Sequence, residues 1–100
     1  MNNHSVSIII PNYNGALLIS RCLDSVFNQK SDCILEVIVI DDGSTDNSLE
    51  IVKKYNNIIV IQQPNQGPAA ARNKGIEAST GKYLTFLDAD DYWNPTFLKE

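Results

Sequence analysis

Three carboxylates crowd into four positions at Asp88-Ala89-Asp90-Asp91, directly after the apolar run Tyr83-Leu84-Thr85-Phe86-Leu87. Asp88 and Asp90 are two residues apart, so on a backbone that stays extended past Leu87 their side chains point to the same side. Two carboxylates so placed repel each other, an arrangement suited to a divalent cation or a shared proton between them. The competing explanation is an acid cluster that merely ends a strand in a solvated turn. A second acidic run, Asp41-Asp42-Gly43-Ser44-Thr45-Asp46, also follows an apolar stretch.

The elements that must position these acids are read from periodicity. Val6-Ser7-Ile8-Ile9-Ile10 is β-branched and nearly continuously apolar, which suits a strand covered on both faces and stopped by Pro11. Residues 16–28 carry Leu18, Cys22 and Val26, flanked by Ile19, Leu23 and Phe27, at helical spacing. A strand over 34–40 runs into Asp41, where Gly43 permits a sharp turn and Ser44 or Thr45 can cap a helix over about 46–55. A short strand at 58–61 precedes a helix that begins at Pro68, where the missing N–H costs nothing. Ala69, Ala70, Ala71 and Gly75 let that helix approach a neighbour closely, Gly81 ends it, and a buried strand leads into Asp88. Pro95 opens a final helix.

Strands and helices alternate, the signature of an α/β fold with a mostly parallel sheet and covering helices, a Rossmann-like three-layer sandwich. In such a sheet all strands end on one edge, so the turn at 11–15, the acids at 41–46, the segment 62–67 and the acids at 88–91 share one rim, where open α/β sheets bind ligands. Asp42 and Asp88, distant in sequence, are expected to be neighbours in space.

Composition removes several alternatives. One hundred residues make one domain at most, burying roughly 65% of the surface that the unfolded chain exposes. With 43% hydrophobic and 20% charged residues the chain is an ordinary globular one, and a net charge of −4 supplies no basic field for nucleic acid. Cys22 and Cys33 lack the companions of a zinc knuckle; Cys22 reads as a small buried hydrophobe, and a reducing compartment fits. No apolar stretch approaches the length of a membrane span, the N-terminus does not read as a signal peptide, and His4 is given no role.

Four rim segments, read together, carry a resemblance. Ile10 to Asn14, Asp41 to Asp46, Asn65 to Gly75 and Phe86 to Asp91, in this order and spacing, closely resemble the N-terminal half of the family 2 glycosyltransferases of GT-A fold, with a strand order of 3-2-1-4. The resemblance covers residues 5–98. It implies a nucleotide-diphospho-sugar donor, a UDP-sugar first, a Mg²⁺ or Mn²⁺ ion, inversion at the anomeric carbon, and a saccharide or lipid-linked acceptor, as in polysaccharide biosynthesis. By the same resemblance Pro11, Tyr13 and Asn14 lie against the nucleobase, with Tyr13 the stacking ring. An acid of the Asp41-Asp42 pair meets the base edge, the register being open by one residue and Asp41 slightly preferred. Asp88 and Ala89 lie near the ribose and the donor, and Asp90 binds the metal with Asp88 beside it.

The chemistry agrees: an acid and an aromatic face can discriminate a base, and Mg²⁺ needs only one or two carboxylates beside phosphate and water. Arg72 has two readings, a salt bridge to a rim acid or a contact to the donor. Tyr92 and Trp93 could line the sugar pocket or cover the sheet edge, and Gly43 and Gly67 read as turn formers. The family's catalytic base is expected beyond Glu100, so the chain is expected to be the truncated donor half, working in the cytoplasm or at the cytoplasmic membrane face.

Two rivals remain. A haloacid-dehalogenase-type phosphatase also uses Asp-x-Asp, but on its first strand and with Thr or Val where Tyr92 stands here. A non-catalytic nucleotide-binding or assembly module needs only the donor half. A calcium loop starting at Asp42 fails, because Asn47 and Lys53 occupy the required Gly and Glu positions.

Overall fold

The computed structural model describes residues 5–99, so Met1 to His4 and Glu100 lie outside the description, and with them the reading of His4. Strands β1 (Val6–Asn12), β2 (Ile34–Asp41), β3 (Ile59–Gln62) and β4 (Tyr83–Phe86) alternate with helices α1 (Ile19–Phe27), α2 (Ser48–Val52) and α3 (Pro68–Ala78). The strands form one sheet in the order β3-β2-β1-β4, and every pairing is parallel. This is the 3-2-1-4 order expected from the sequence. Where Pro95 suggested a helix there is a turn followed by a 3-10 turn at Phe97–Lys99.

Alternate residues of the central strands serve two layers, as strand geometry requires. Ile8, Ile10, Val37 and Val39 pack with Ile19, Cys22, Leu23, Val26 and Val52 on the α1/α2 side. Ile9, Ile38 and Ile40 meet Ala71 on the α3 side. Each large aliphatic side chain buried in this way is worth roughly 1.5–3 kcal/mol. The buried stripe of α1 is Ile19, Cys22, Leu23 and Val26, one position round from the expected Leu18-Cys22-Val26 row, and Leu18 is left on the rim at 37% exposed. On the other layer, a Cβ on Gly75 would stand 2.4 Å from Ile9 Cγ2, so the absence of a side chain there sets how closely α3 approaches β1.

Two expectations are corrected. Pro11 does not stop the first strand: it pairs with Ile40, and Asn12 with Asp41. The reason lies in the alternation of the ladder. Ile9 O accepts from Leu87 N on the β4 side, and Asn12 O accepts from Asp42 N on the β2 side. Pro11 shares the side of Ile9, where β4 has already ended, so its missing N–H breaks no bond. The strand before Asp88 is not buried either, because β4 is an edge strand paired with β1 alone, and Tyr83, Leu84 and Phe86 are exposed.

Candidate functional site

Parallel strands that end together create the rim, and three loops build a cleft of ≈ 670 Å³ on it. Its walls are Pro11 to Gly15 with Leu17 and Leu18, then Asp42 with Asn65, Gly67 and Pro68, and finally Asp88, Ala89 and Asp90. That volume falls within the range of sites for small organic ligands.

The first loop is fastened to the second. Asn14 sits at φ 55, a left-handed conformation that asparagine tolerates. Its Oδ1 accepts from Thr45 N at 2.7 Å and Asp46 N at 3.2 Å. Ala16 N donates to Asp46 Oδ2 at 3.0 Å. Asn12, 1% exposed, donates through Nδ2 to Asp41 Oδ1 (3.0 Å) and Ser48 Oγ (2.9 Å). Its Oδ1 is the one buried side-chain polar atom with no partner among the described residues, and a Cβ on Gly15 would lie 2.4 Å from it. Tyr13, between these anchored residues, is half exposed and faces the cleft. Ser44 and Thr45 do not cap α2. Ser44 Oγ donates to Asp41 Oδ1 at 2.8 Å, and Asp46 Oδ1 accepts from Ser48 N at 2.9 Å instead.

The two adjacent acids have different duties. Asp41 is buried beneath the cleft, where it braces Asn12 and Ser44, and it does not line the wall. Asp42, 3% exposed, reaches the wall. It accepts from Gln63 Nε2 (2.8 Å), Gln66 N (2.8 Å), Gly67 N (3.0 Å) and Asn65 Nδ2 (3.2 Å). Burial pushes the Asp42 carboxyl up, but the donors from Gln63, Gln66 and Gly67 outweigh it and hold its pKa below the ordinary value. Gly43 at φ +77 and Gly67 at φ +100 make the turns that bring these donors round, as read from the sequence.

At the third wall the backbone is not extended. Asp91 N donates to Asp88 O at 2.9 Å, closing a turn, so the same-side placement of Asp88 and Asp90 does not follow from strand geometry. Both acids nevertheless line the cleft, with Ala89 buried between them. Both carboxylates are exposed, and among the described residues no donor bonds to either. Free carboxylates of this kind fit a hard divalent cation. Among the described residues no three His, Cys, Asp or Glu side chains converge on one point, so such a cation would complete its shell from water and phosphate.

Asp42 and Asp88, 46 positions apart in sequence, thus meet on one cleft with Pro11, Tyr13, Asn14, Ala89 and Asp90. Arg72, half buried on α3, does not line the cleft and forms no ion pair with a rim acid among the described residues. The sequence reading placed Asn65 and Pro68 in a rim segment without giving either a part in the site, and it missed Leu17 and Leu18 as cleft residues. For Leu17 a signal existed, since it is an apolar residue outside the Leu18-Cys22-Val26 row and beside the Asn-rich turn; it stands just before α1, 97% exposed. Trp93 stacks on Phe97 at 4.6 Å and packs on the α1 side of the core, so it covers the sheet rather than the cleft.

Comparison with known proteins agrees with this geometry. Residues 7–100 match the model of the family described as glycosyl transferase family 2. Over 99 residues the chain is 44% identical to a protein of Escherichia coli K12 described as the uncharacterized glycosyltransferase YibD, covering 95% of this chain and 28% of that protein. Among solved structures, Staphylococcus aureus TarS 1-349 in complex with UDP-GlcNAc superposes with a TM-score of 0.88 at 39% identity, over 95% of this chain and 29% of that one. The mannosyltransferase PcManGT of Pyrobaculum calidifontis, in complex with GDP-Man and Mn²⁺, gives 0.82 at 31% identity, over 89% of this chain and 28% of that one. The chain therefore spans less than a third of the length of each of these relatives. Among the described residues no helix is long and apolar enough to cross a membrane.

Proposed function

Because the chain belongs to glycosyl transferase family 2 and carries the nucleotide-binding half of a GT-A fold, we propose that it holds the donor half-site of an enzyme that transfers a sugar from a nucleotide-diphospho-sugar to an acceptor hydroxyl. One observation carries this reading. A nucleotide-sized cleft brings a half-exposed ring, Tyr13, a hydrogen-bonding acid, Asp42, and two free carboxylates, Asp88 and Asp90, onto one lining.

In this reading the nucleobase lies against Pro11 and Tyr13, and Asp42 presents an acceptor to its edge. Asn14 fixes the loop that carries Tyr13, and Asp41 supports Asn12 from beneath. Asp90 and Asp88 would hold Mg²⁺ or Mn²⁺, which would supply positive charge to the departing diphosphate. In the transfer the bond between the anomeric carbon and the diphosphate oxygen breaks, and a bond to the acceptor oxygen forms. The acceptor's proton passes to a base outside this chain, and family membership supports inversion at the reacting carbon. We assign Arg72 to the support of α3 rather than to the donor, because it stands off the cleft wall. A UDP-sugar is our first choice of donor and a saccharide or lipid-linked alcohol our choice of acceptor. Free thiols at Cys22 and Cys33 support placing the reaction in a reducing compartment such as the cytoplasm.

Calorimetric titration of the chain with UDP, GDP and dTDP, with and without Mn²⁺, tests the assignment. Binding of one nucleotide should strengthen with Mn²⁺ and lose that gain in Asp90→Ala. Binding indifferent to the metal, or unchanged by Asp90→Ala, overturns the metal assignment. Sugar transfer by the 100-residue chain alone would overturn the half-site reading.

A further inference from the structure

Arg21 and Ser25 on α1, and Gln29 just past its C-terminal end, follow one another at four-residue spacing. Gln29 and Ser25 bond to the segment that follows the acids, and Arg21 to the acid turn itself. Gln29 Nε2 donates to Asn94 O at 2.7 Å, and its Oε1 accepts from Leu98 N at 3.0 Å. Ser25 Oγ accepts from Trp93 N at 3.1 Å. At the cleft end of this row, Arg21 Nη2 donates to Asp90 O at 3.0 Å, and its guanidinium carbon lies 4.3 Å from the centre of the Tyr92 ring.

We propose that Arg21 is a positioning residue that fixes the Asp88–Asp91 turn so that the two cleft carboxylates are ready for a cation; this rests on the reading of Asp88 and Asp90 as the metal corner. Three like charges within four residues favour splaying the turn. Leu87 N bonded to Ile9 O and Trp93 N bonded to Ser25 Oγ tether the flanks, and within the turn, among the described residues, the side-chain bond from the rest of the fold is that of Arg21 to Asp90 O. Guanidinium is permanently charged and planar, so it can donate to the carbonyl and stack on Tyr92 at once. Because it bonds the carbonyl of Asp90, it leaves both carboxylates free.

A positioning role and a simple charge role have opposite signs. Removing a positive charge beside a cation site should tighten cation binding, whereas losing the anchor should loosen it. The test uses wild type, Arg21→Met, Arg21→Lys and Asp90→Asn. Mn²⁺ affinity is read by electron paramagnetic resonance in saturating UDP, and exchange of the Asp91 amide is read by NMR without ligand. Loss of one charged hydrogen bond and a cation–π contact predicts that Arg21→Met binds Mn²⁺ about tenfold more weakly. Asp91 should exchange faster while Ile8 to Ile10 keep their protection, and Arg21→Lys should recover part of the affinity. Equal or tighter Mn²⁺ binding by Arg21→Met, or unchanged exchange at Asp91, overturns the proposal. A wild type that binds no Mn²⁺ with UDP sinks the metal corner itself, and the exchange measurement still decides whether Arg21 holds the turn.

Discussion

Replacing Asp42 by Asn tests whether a buried carboxylate organises the second wall of the cleft. The carboxylate accepts four hydrogen bonds, two of them from the backbone N–H groups of Gln66 and Gly67. An amide keeps one acceptor oxygen and turns an NH₂ toward donors, so about half of that set is lost. A bond to a charged group contributes about 1.5–3 kcal/mol, and an orphaned buried donor costs about 1–3. Because relaxation of a surface loop recovers part of this, the expected loss is about 2 kcal/mol, a fall in Tm of roughly 8–16 °C for a domain of this size. The folded-state pKa of Asp42 lies below its ordinary value of 3.8, so its stabilisation is fully present above that value and is lost as pH falls through the lower folded pKa. Urea unfolding of both proteins from pH 7 to pH 3 should therefore show a constant difference down to about pH 4.5, shrinking below it. A difference under about 0.5 kcal/mol at pH 7, or one that grows in acid, would refute the reasoning.

Gly75→Ala should destabilise by about 1–3 kcal/mol despite the better helix propensity of alanine, because the new Cβ would overlap Ile9. The penalty should shrink in an Ile9→Ala background, and a double-mutant cycle by urea unfolding measures it. Cys22 is fully buried, and burial first, then the charges of Asp91, Asp88 and Asp90, push its thiol up to about 12. At pH 8 Cys22 is therefore a shielded thiol, so mass spectrometry after iodoacetamide treatment should find Cys33 modified and Cys22 untouched until the protein is unfolded. Tyr13→Ala should weaken nucleotide binding by about 1–3 kcal/mol, the worth of one base stacked on an aromatic ring, with little change in Tm because Tyr13 is half exposed. Calorimetry against UDP and a thermal melt read the two quantities.

Much of the architecture was open to inspection in the chain alone. The β-branched runs at 6–10 and 34–40, alternating with amphipathic stretches, require a parallel sheet, and a parallel sheet must gather its acidic loops on one edge. The small residues Ala71 and Gly75 announced a close helix–strand contact, and Gly43 announced the turn that its φ of +77 confirms. All of these are local properties, set by periodicity and by the steric limits of single residues.

Tertiary structure decided what depends on distant partners. Asp41 and Asp42 are chemically identical neighbours, and only strand alternation and the arrival of Gln63 to Gly67 make one a brace and the other part of the cleft wall. Pro11 could remain in its strand because β4 stops at Phe86, a fact fixed 75 residues later in the chain. Asp88 and Asp90 share a cleft through a turn rather than an extended strand, and Arg21 meets that turn across 69 positions of sequence. Periodicity reports which face of an element is covered. What covers it, and which hydrogen bonds cross the gap, is settled only when the layers pack.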